Sequence, residues 1–180
     1  MGYCDTTLAA TINDATCGKA PAKGYEQLGL LIRREDIETK TIEGSTITAL
    51  TLKSTKSATK IYQHGQTPFT GSTTEAEVGT YDVHFNKIFQ FVMLNGGKTT
   101  AEVVDALASG EYVAIVTERD KQDCRHRVLG LENGLVLSAA TNDAYGDTYN
   151  GVLVTMTESG ASSYALYLAD ESLYTTIAGA

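Results

Sequence analysis

Tryptophan is missing from this 180-residue chain, proline occurs only twice, and cysteine and histidine occur three times each. So little proline argues against an extended linker or a proline-rich recognition segment. Cys4, Cys17 and Cys124 make no even disulfide framework and contain no CxxC pair. Spacing leaves a Cys4–Cys17 bridge open, and free thiols in a reducing compartment are the plainer expectation. His64, His84 and His126 are far apart, with no HExxH and no zinc-type Cys/His spacing. Also missing are a GxGxxG after a strand, a GxxxxGK[ST] loop and a GxSxG elbow. No apolar run reaches the length of a membrane span, and the start, MGYCDTTLAATINDATCGK, lacks a basic lead followed by an apolar core. The expectation is a soluble, non-enzymatic chain without a signal peptide, membrane contact or cofactor.

Positive charge is scarce too. The formal net charge is −8, distributed as +1 over residues 1–60, −5 over 61–120 and −4 over 121–180. Tight binding to a phosphate backbone needs clustered Lys and Arg that release counterions, and this balance opposes it. An acidic surface keeps a protein soluble and keeps nucleic acid from sticking.

What the chain does have is β-forming sequence: many threonines, β-branched residues and 17 glycines. Its length suits one compact domain over 1–180, with residues 1–24 and 170–180 as candidate terminal arms. The organising stretch is Thr99–Asp120. Thr99 and Glu102 have the spacing of a capping box, Ala101, Val104, Leu107 and Ala108 share a face, and Gly110 fits a left-handed stop. This predicts a helix over about 99–109 lying on the strand Tyr112–Val116, which is apolar on both faces and so reads as central.

Leu28–Ile32 reads as a strand, and the charged RREDIETK after it as a solvated turn or loop base. Residues 45–53 read as a strand whose apolar phase changes midway, which suggests a bulge. Polar loops are expected at 35–45, 53–60 and 64–79, the second with hairpin-tip composition, before a short strand around Ile61. The clearest alternation follows: Tyr81, Val83, Phe85, Phe89, Phe91 and Met93 share one parity, broken only by Lys87. Such a long strand must bend between two sheets or project as part of a long hairpin. Arg125–Leu129, Leu135–Leu137, Val152–Met156 and Tyr164–Leu168 complete a mainly β reading: an antiparallel sandwich or barrel-like domain with one flanking helix and extended loops or arms.

Two constellations merit a chemical reading. Arg125 and His126 beside Cys124 are the kind of neighbours that lower a thiol pKa, although nothing nearby completes an acyl-transfer site. Asn142, Asp143, Asp147 and Asn150 gather oxygens in TNDAYGDTYNG without the spacing of an EF-hand, and such loops usually turn for conformational reasons.

The order FQFVM, AEVVDALASG, EYVAIVTERD, RVLGLENGLVL, TNDAYGDTYNG and VLVTMTESG, over about residues 80–160, resembles small virion structural proteins of tailed phages and prophages of Bacteroidetes. Through them it is similar to tail-tube and neck-ring proteins. The resemblance implies a β-sandwich subunit that self-assembles into a ring, a hexamer or higher, around a DNA channel. Its partners would be further copies, other virion proteins and DNA passing without tight binding, in a virion assembled in the bacterial cytoplasm. On that reading Lys53, Lys56, Thr70, Glu75, Tyr81, Val83 and Phe85 are candidate subunit contacts. The competing class is a β-sandwich binding module of a fibre or adhesin, recognising a glycan or protein with Asp143, Tyr145, Asp147 and Tyr149.

Overall fold

A computed structural model describes residues 24–94, 97–119, 124–143 and 151–179. The apolar run of the first strand, β1 (Tyr25–Arg33), buries Leu30, Leu31 and Ile32 consecutively. Successive strand residues point to opposite faces, so the sheet that holds this strand is covered on both sides. The same holds for β7 (Tyr112–Glu118), where Val113 to Thr117 are all buried.

Around these two strands runs a seven-stranded sheet that also takes in β2 (Ile37–Glu43), β3 (Thr46–Leu52), β4 (Thr59–Tyr62), β8 (His126–Leu129) and β11 (Leu166–Leu168). Its order is β2-β3-β11-β8-β7-β1-β4. A four-stranded sheet is built from β5 (Thr73–Val78), β6 (Val83–Met93), β9 (Val136–Asp143) and β10 (Gly151–Ala161), in the order β5-β6-β10-β9. Among the described residues two α-helices complete the fold, α1 (Lys98–Ala108) and α2 (Glu171–Gly179). The architecture is mainly β and sandwich-like, without a closed barrel.

The core lies in two layers. On one face of the larger sheet Leu30, Ile32, Val113, Ile115, Val128 and Leu166 pack under Tyr174 and Ile177 of α2. On the other, Leu31, Ala114, Val116 and Leu129 meet Phe89, Phe91, Val154 and Met156 of the smaller sheet, with Leu107 of α1 and Phe69 of the β4–β5 loop. Phe69, with φ 57°, is driven inward until its ring covers Gly29, where even a Cβ would lie 2.7 Å from the ring. Gln63 ties the sheets at the rim: its amide oxygen accepts the Val92 N–H at 2.9 Å and its amide nitrogen donates to the Val92 carbonyl at 2.9 Å.

The expected bulge is present. Ile42 pairs with Ile47 and Thr41 with Ala49, leaving Thr48 without an opposite residue. Ile47 and Leu50, three apart, therefore reach the same core.

Several expectations need correction. Thr99 caps nothing: it lies inside α1, whose N-cap is Gly97 and carries no side-chain cap bond. Gly110 is not in the left-handed region, and it is small because Tyr112 and Arg33 crowd it at 3.1 and 3.2 Å. The helix buries only Thr100 and Leu107 fully, with Val104 half-buried, so it covers a rim rather than the sheet. The covering helix is α2, where a C-terminal arm was expected; Asp170 caps it by accepting the Leu173 N–H at 2.8 Å. The segment 35–45 is a 3-10 turn followed by β2 rather than a loop. Residues 53–60 form no hairpin tip, since β4 pairs with β1 at the far side of the sheet while the inner edge of β3 is taken by parallel β11. The loop expected at 64–79 ends at Ser72, and Glu158–Ala161 of ESGASS continues β10 instead of turning, the chain leaving the strand only at Ser162. The candidate N-terminal arm lies outside the described residues, apart from Gly24.

Candidate functional site

β6 is paired on both sides only in part. β10 accompanies it from Met93 back to Phe85, and beyond that point, among the described residues, β6 has only β5, through Glu77–His84 and Val78–Val83. The end of the hairpin is therefore a two-stranded ribbon running past the smaller sheet. Its tip is closed by the Gly79 N–H donating to the Asp82 carbonyl at 2.9 Å. Asp82 and His84 stand 2.8 Å apart beside it, and the Asn86 amide donates to Glu77 at 2.9 Å. On this ribbon Val78, Tyr81 and Val83 are exposed apolar side chains, and Tyr81 is 96% exposed. Two strands alone are marginally stable in water, and clustered exposed apolar groups mark an interaction surface.

Four of the seven candidate contact residues, Glu75, Tyr81, Val83 and Phe85, fall on this hairpin. Phe85 stands at its root, half-buried, with its ring edge-on to Tyr164 at 5.7 Å. The other three lie elsewhere. Lys53 and Lys56 belong to the β3–β4 connection, where the Lys53 N–H donates to the Asp36 carbonyl at 2.8 Å and Lys56 pairs with the Asp36 carboxylate at 3.0 Å. Thr70 sits in the β4–β5 loop, its hydroxyl donating to the Thr67 carbonyl.

The hairpin is rooted in charge. Lys87, the residue that breaks the alternation of β6, is fully buried and lies directly opposite the fully buried Glu158 of β10. Lys87 Nζ is 3.2 Å from Glu158 Oε2 and 3.6 Å from Glu132 Oε2. Glu158 accepts three backbone N–H groups, from Gly130 at 2.9 Å, Glu132 at 3.1 Å and Asn133 at 2.8 Å. Burial opposes the charge on Glu132, but Ser162, Ser163 and the Lys87 ammonium outweigh it and hold that carboxyl below its ordinary value. The bulge that follows Glu158 opens at Gly160, φ 70°, whose N–H donates to the Asn86 side chain at 3.1 Å. A single lysine in an apolar parity was the sequence signal for this cluster, but its partners stand 45 and 71 residues away.

A second charged seam joins the sheets. Arg127 of β8 donates to Thr74 of β5 at 2.6 Å, lies over the Tyr164 ring at 5.4 Å and stands 3.9 Å from Glu118. Tyr167 donates to Glu118 at 3.0 Å; burial, reinforced by that carboxylate, pushes its hydroxyl up to about 12.

Cys124 and His126 do not converge. The Cys124 thiol donates to the Ala169 carbonyl at 3.3 Å. The His126 ring bridges Thr117 Oγ1 and Glu171 Oε2, each at 2.9 Å, and stacks on Tyr174 at 4.1 Å. Thr117 is buried in the sheet, so this row of polar groups staples β7 and β8 to α2. The oxygens of Asp143, Asp147 and Asn150, with Tyr145 and Tyr149, lie outside the described residues; the Asn142 side chain is exposed at the end of β9. Among the described residues, no three His, Cys, Asp or Glu side chains are placed to hold a metal ion.

No protein-family model matches the chain, and neither does any curated protein or solved structure.

Proposed function

We propose that this chain is a structural subunit of a tailed-phage virion, a tail-tube or neck/connector ring protein that assembles with copies of itself around a DNA channel. The observation that carries this reading is the β5–β6 ribbon, an apolar-tipped hairpin that reaches past its own sheet and on which, among the described residues, nothing covers Val78, Tyr81 and Val83. Such a ribbon is completed by a neighbour. The smaller sheet supports the same reading, since β5 and β9 are its two edges and β5 carries Glu75 and Glu77 outward. Joining one edge of a subunit to the different edge of the next is a head-to-tail contact, and repeated by rotation it closes a ring that leaves no edge unpaired. A net charge of −8 suits a wall past which DNA slides, because carboxylates repel phosphates that lysines would hold. In this role the surface needs no cofactor and no enzymatic site, and its partners are further copies and other virion proteins.

The test is the molar mass of the purified chain by light scattering on a sizing column, with the same fractions imaged by negative-stain electron microscopy. Rings or stacked tubes are expected. Val83→Pro, which removes a backbone N–H from the ribbon, is expected to give a soluble folded chain that does not assemble. A wild-type chain that stays monomeric at high concentration and binds a glycan or protein ligand instead would replace this reading with that of a binding module.

A further inference from the structure

The buried cluster of Lys87, Glu158 and Glu132 holds more than an ordinary ion pair needs. Among the described residues Lys87 Nζ finds no well-aligned hydrogen-bond acceptor, although it lies 3.2 Å from a carboxylate oxygen. Burying an ammonium is costly, and here it is held against two carboxylates, at 3.2 and 3.6 Å, with neither aligned as a hydrogen-bond acceptor. A neutral amine pressed against a carboxyl group in a water-poor interior is also a nucleophile in a near-attack position.

We propose that Lys87 and Glu158 condense to an isopeptide bond within the smaller sheet, with Glu132 relaying the protons. Glu132 takes a proton from the Lys87 ammonium and hands it to one Glu158 oxygen, and the freed Nζ lone pair attacks the carbon of the now neutral Glu158 carboxyl to form the C–N bond. Negative charge on the tetrahedral intermediate falls on the other Glu158 oxygen, and the two Glu158 oxygens already accept the backbone N–H groups of Gly130, Glu132 and Asn133 at 2.8–3.1 Å. Those donors are fixed by the turn 130–133 and need not reorganise, which is the arrangement that stabilises an oxyanion. Glu132 then takes a proton from the attacking nitrogen and delivers it to the hydroxyl oxygen, which leaves as water. In sum, an ammonium and a carboxylate become one amide and one water, with no oxidant, cofactor or activating group. Glu132 is 20% exposed where Lys87 and Glu158 are fully buried, so its side of the cluster is the exit for the water. The product ties β6 to β10 covalently at the point where the projecting hairpin leaves the sheet.

The proposal does not depend on the ring, because both residues belong to one chain. It is tested by the intact mass of the folded full-length chain after reduction, with loss of Met1 accounted for. The expected mass is lower than that of the sequence by one water, and digestion should release a branched peptide joining the Lys87 and Glu158 segments. Lys87→Met should restore the full mass, and Glu132→Gln should leave the bond to form many-fold more slowly during incubation of the folded protein. The wild-type mass decides the matter even where a variant folds poorly. Wild-type protein that retains the full sequence mass after prolonged incubation, both unassembled and assembled, would show the cluster to be ionic and overturn the proposal.

Discussion

Replacing Tyr81 by serine separates assembly from folding. Tyr81 is 96% exposed, so the fold gains almost nothing from its ring, and the change should move stability by no more than about 0.5 kcal/mol. At an interface the same ring is a large asset. An aromatic side chain buries about 150–250 Å², and at about 25 cal/mol per Å² complete cover corresponds to a ceiling of roughly 4–6 kcal/mol. Ordering the ribbon and desolvating the hydroxyl consume much of that. A loss of about 2 kcal/mol per contact, the level of a hot-spot residue, is the working figure. That is roughly a thirty-fold weakening at each contact, and a ring multiplies it because every subunit carries the change. The assay compares wild type and Tyr81→Ser at matched concentrations by light scattering, beside thermal melting of each. A control, Phe89→Ala, empties a fully buried position between Phe69 and Phe91 and should cost about 3–5 kcal/mol of stability. The expected pattern is an unassembled Tyr81→Ser chain with a wild-type melting temperature. Assembly untouched by the substitution, or lost only together with a melting temperature lowered as far as that of the Phe89 variant, would refute the assignment of the ribbon as the contact.

Three further outcomes follow from particular contacts. Gly29→Ala places a Cβ 2.7 Å from the Phe69 ring and should destabilise by about 1–3 kcal/mol through overpacking; combining it with Phe69→Leu should cost less than the sum of the two, measured by urea unfolding. Tyr167 has a folded value of about 12 against an ordinary value of 10.0, so the unfolded chain loses this proton first and stability should fall as pH rises from about 10 to about 12; Tyr167→Phe should lessen that fall, and identical alkaline unfolding curves would contradict it. Hydrogen bonding from His126, ahead of that from Arg125, holds Glu171 below its ordinary value, so its contribution is intact above about pH 4.5 and lost as pH falls through the lower folded value. Because Glu171 is 58% exposed the effect is small, and it is read as a shallower acid unfolding curve in Glu171→Gln.

How much was legible in the chain beforehand varies with the range of the interaction. The alternation of residues 81–93 predicted a long strand, and β6 takes up Val83–Met93 of it, leaving Tyr81 in the turn; the change of phase in 45–53 predicted the bulge opposite Thr41 and Ile42. The apolar run of residues 112–116 predicted a strand buried on both faces. These are local signals, because a side chain's face is set by its parity along its own strand. The helix was placed within a residue at each end, as Lys98–Ala108, but its caps were misread: Thr99 and Gly110 have the right chemistry for caps, yet the chain enters α1 through Gly97, and Gly110 is small because Tyr112 and Arg33 crowd it. Of the candidate contact residues, Tyr81, Val83 and Phe85 were expected on the long strand and Glu75 in the loop 64–79; the structure puts Glu75 on β5 beside them and leaves Lys53, Lys56 and Thr70 elsewhere.

The sequence by itself determined that this is a β-rich, acidic chain with one long strand and a single lysine out of phase in it. Tertiary structure decided the rest. It made β4 a partner of β1 rather than of β3, turned the last nine described residues into the helix over the larger sheet, and set Glu158 opposite Lys87. The reason is that periodicity records which side of a strand must leave water, while backbone N–H and C=O groups are nearly the same in every residue. Which strand satisfies them is therefore settled only when the whole set is packed.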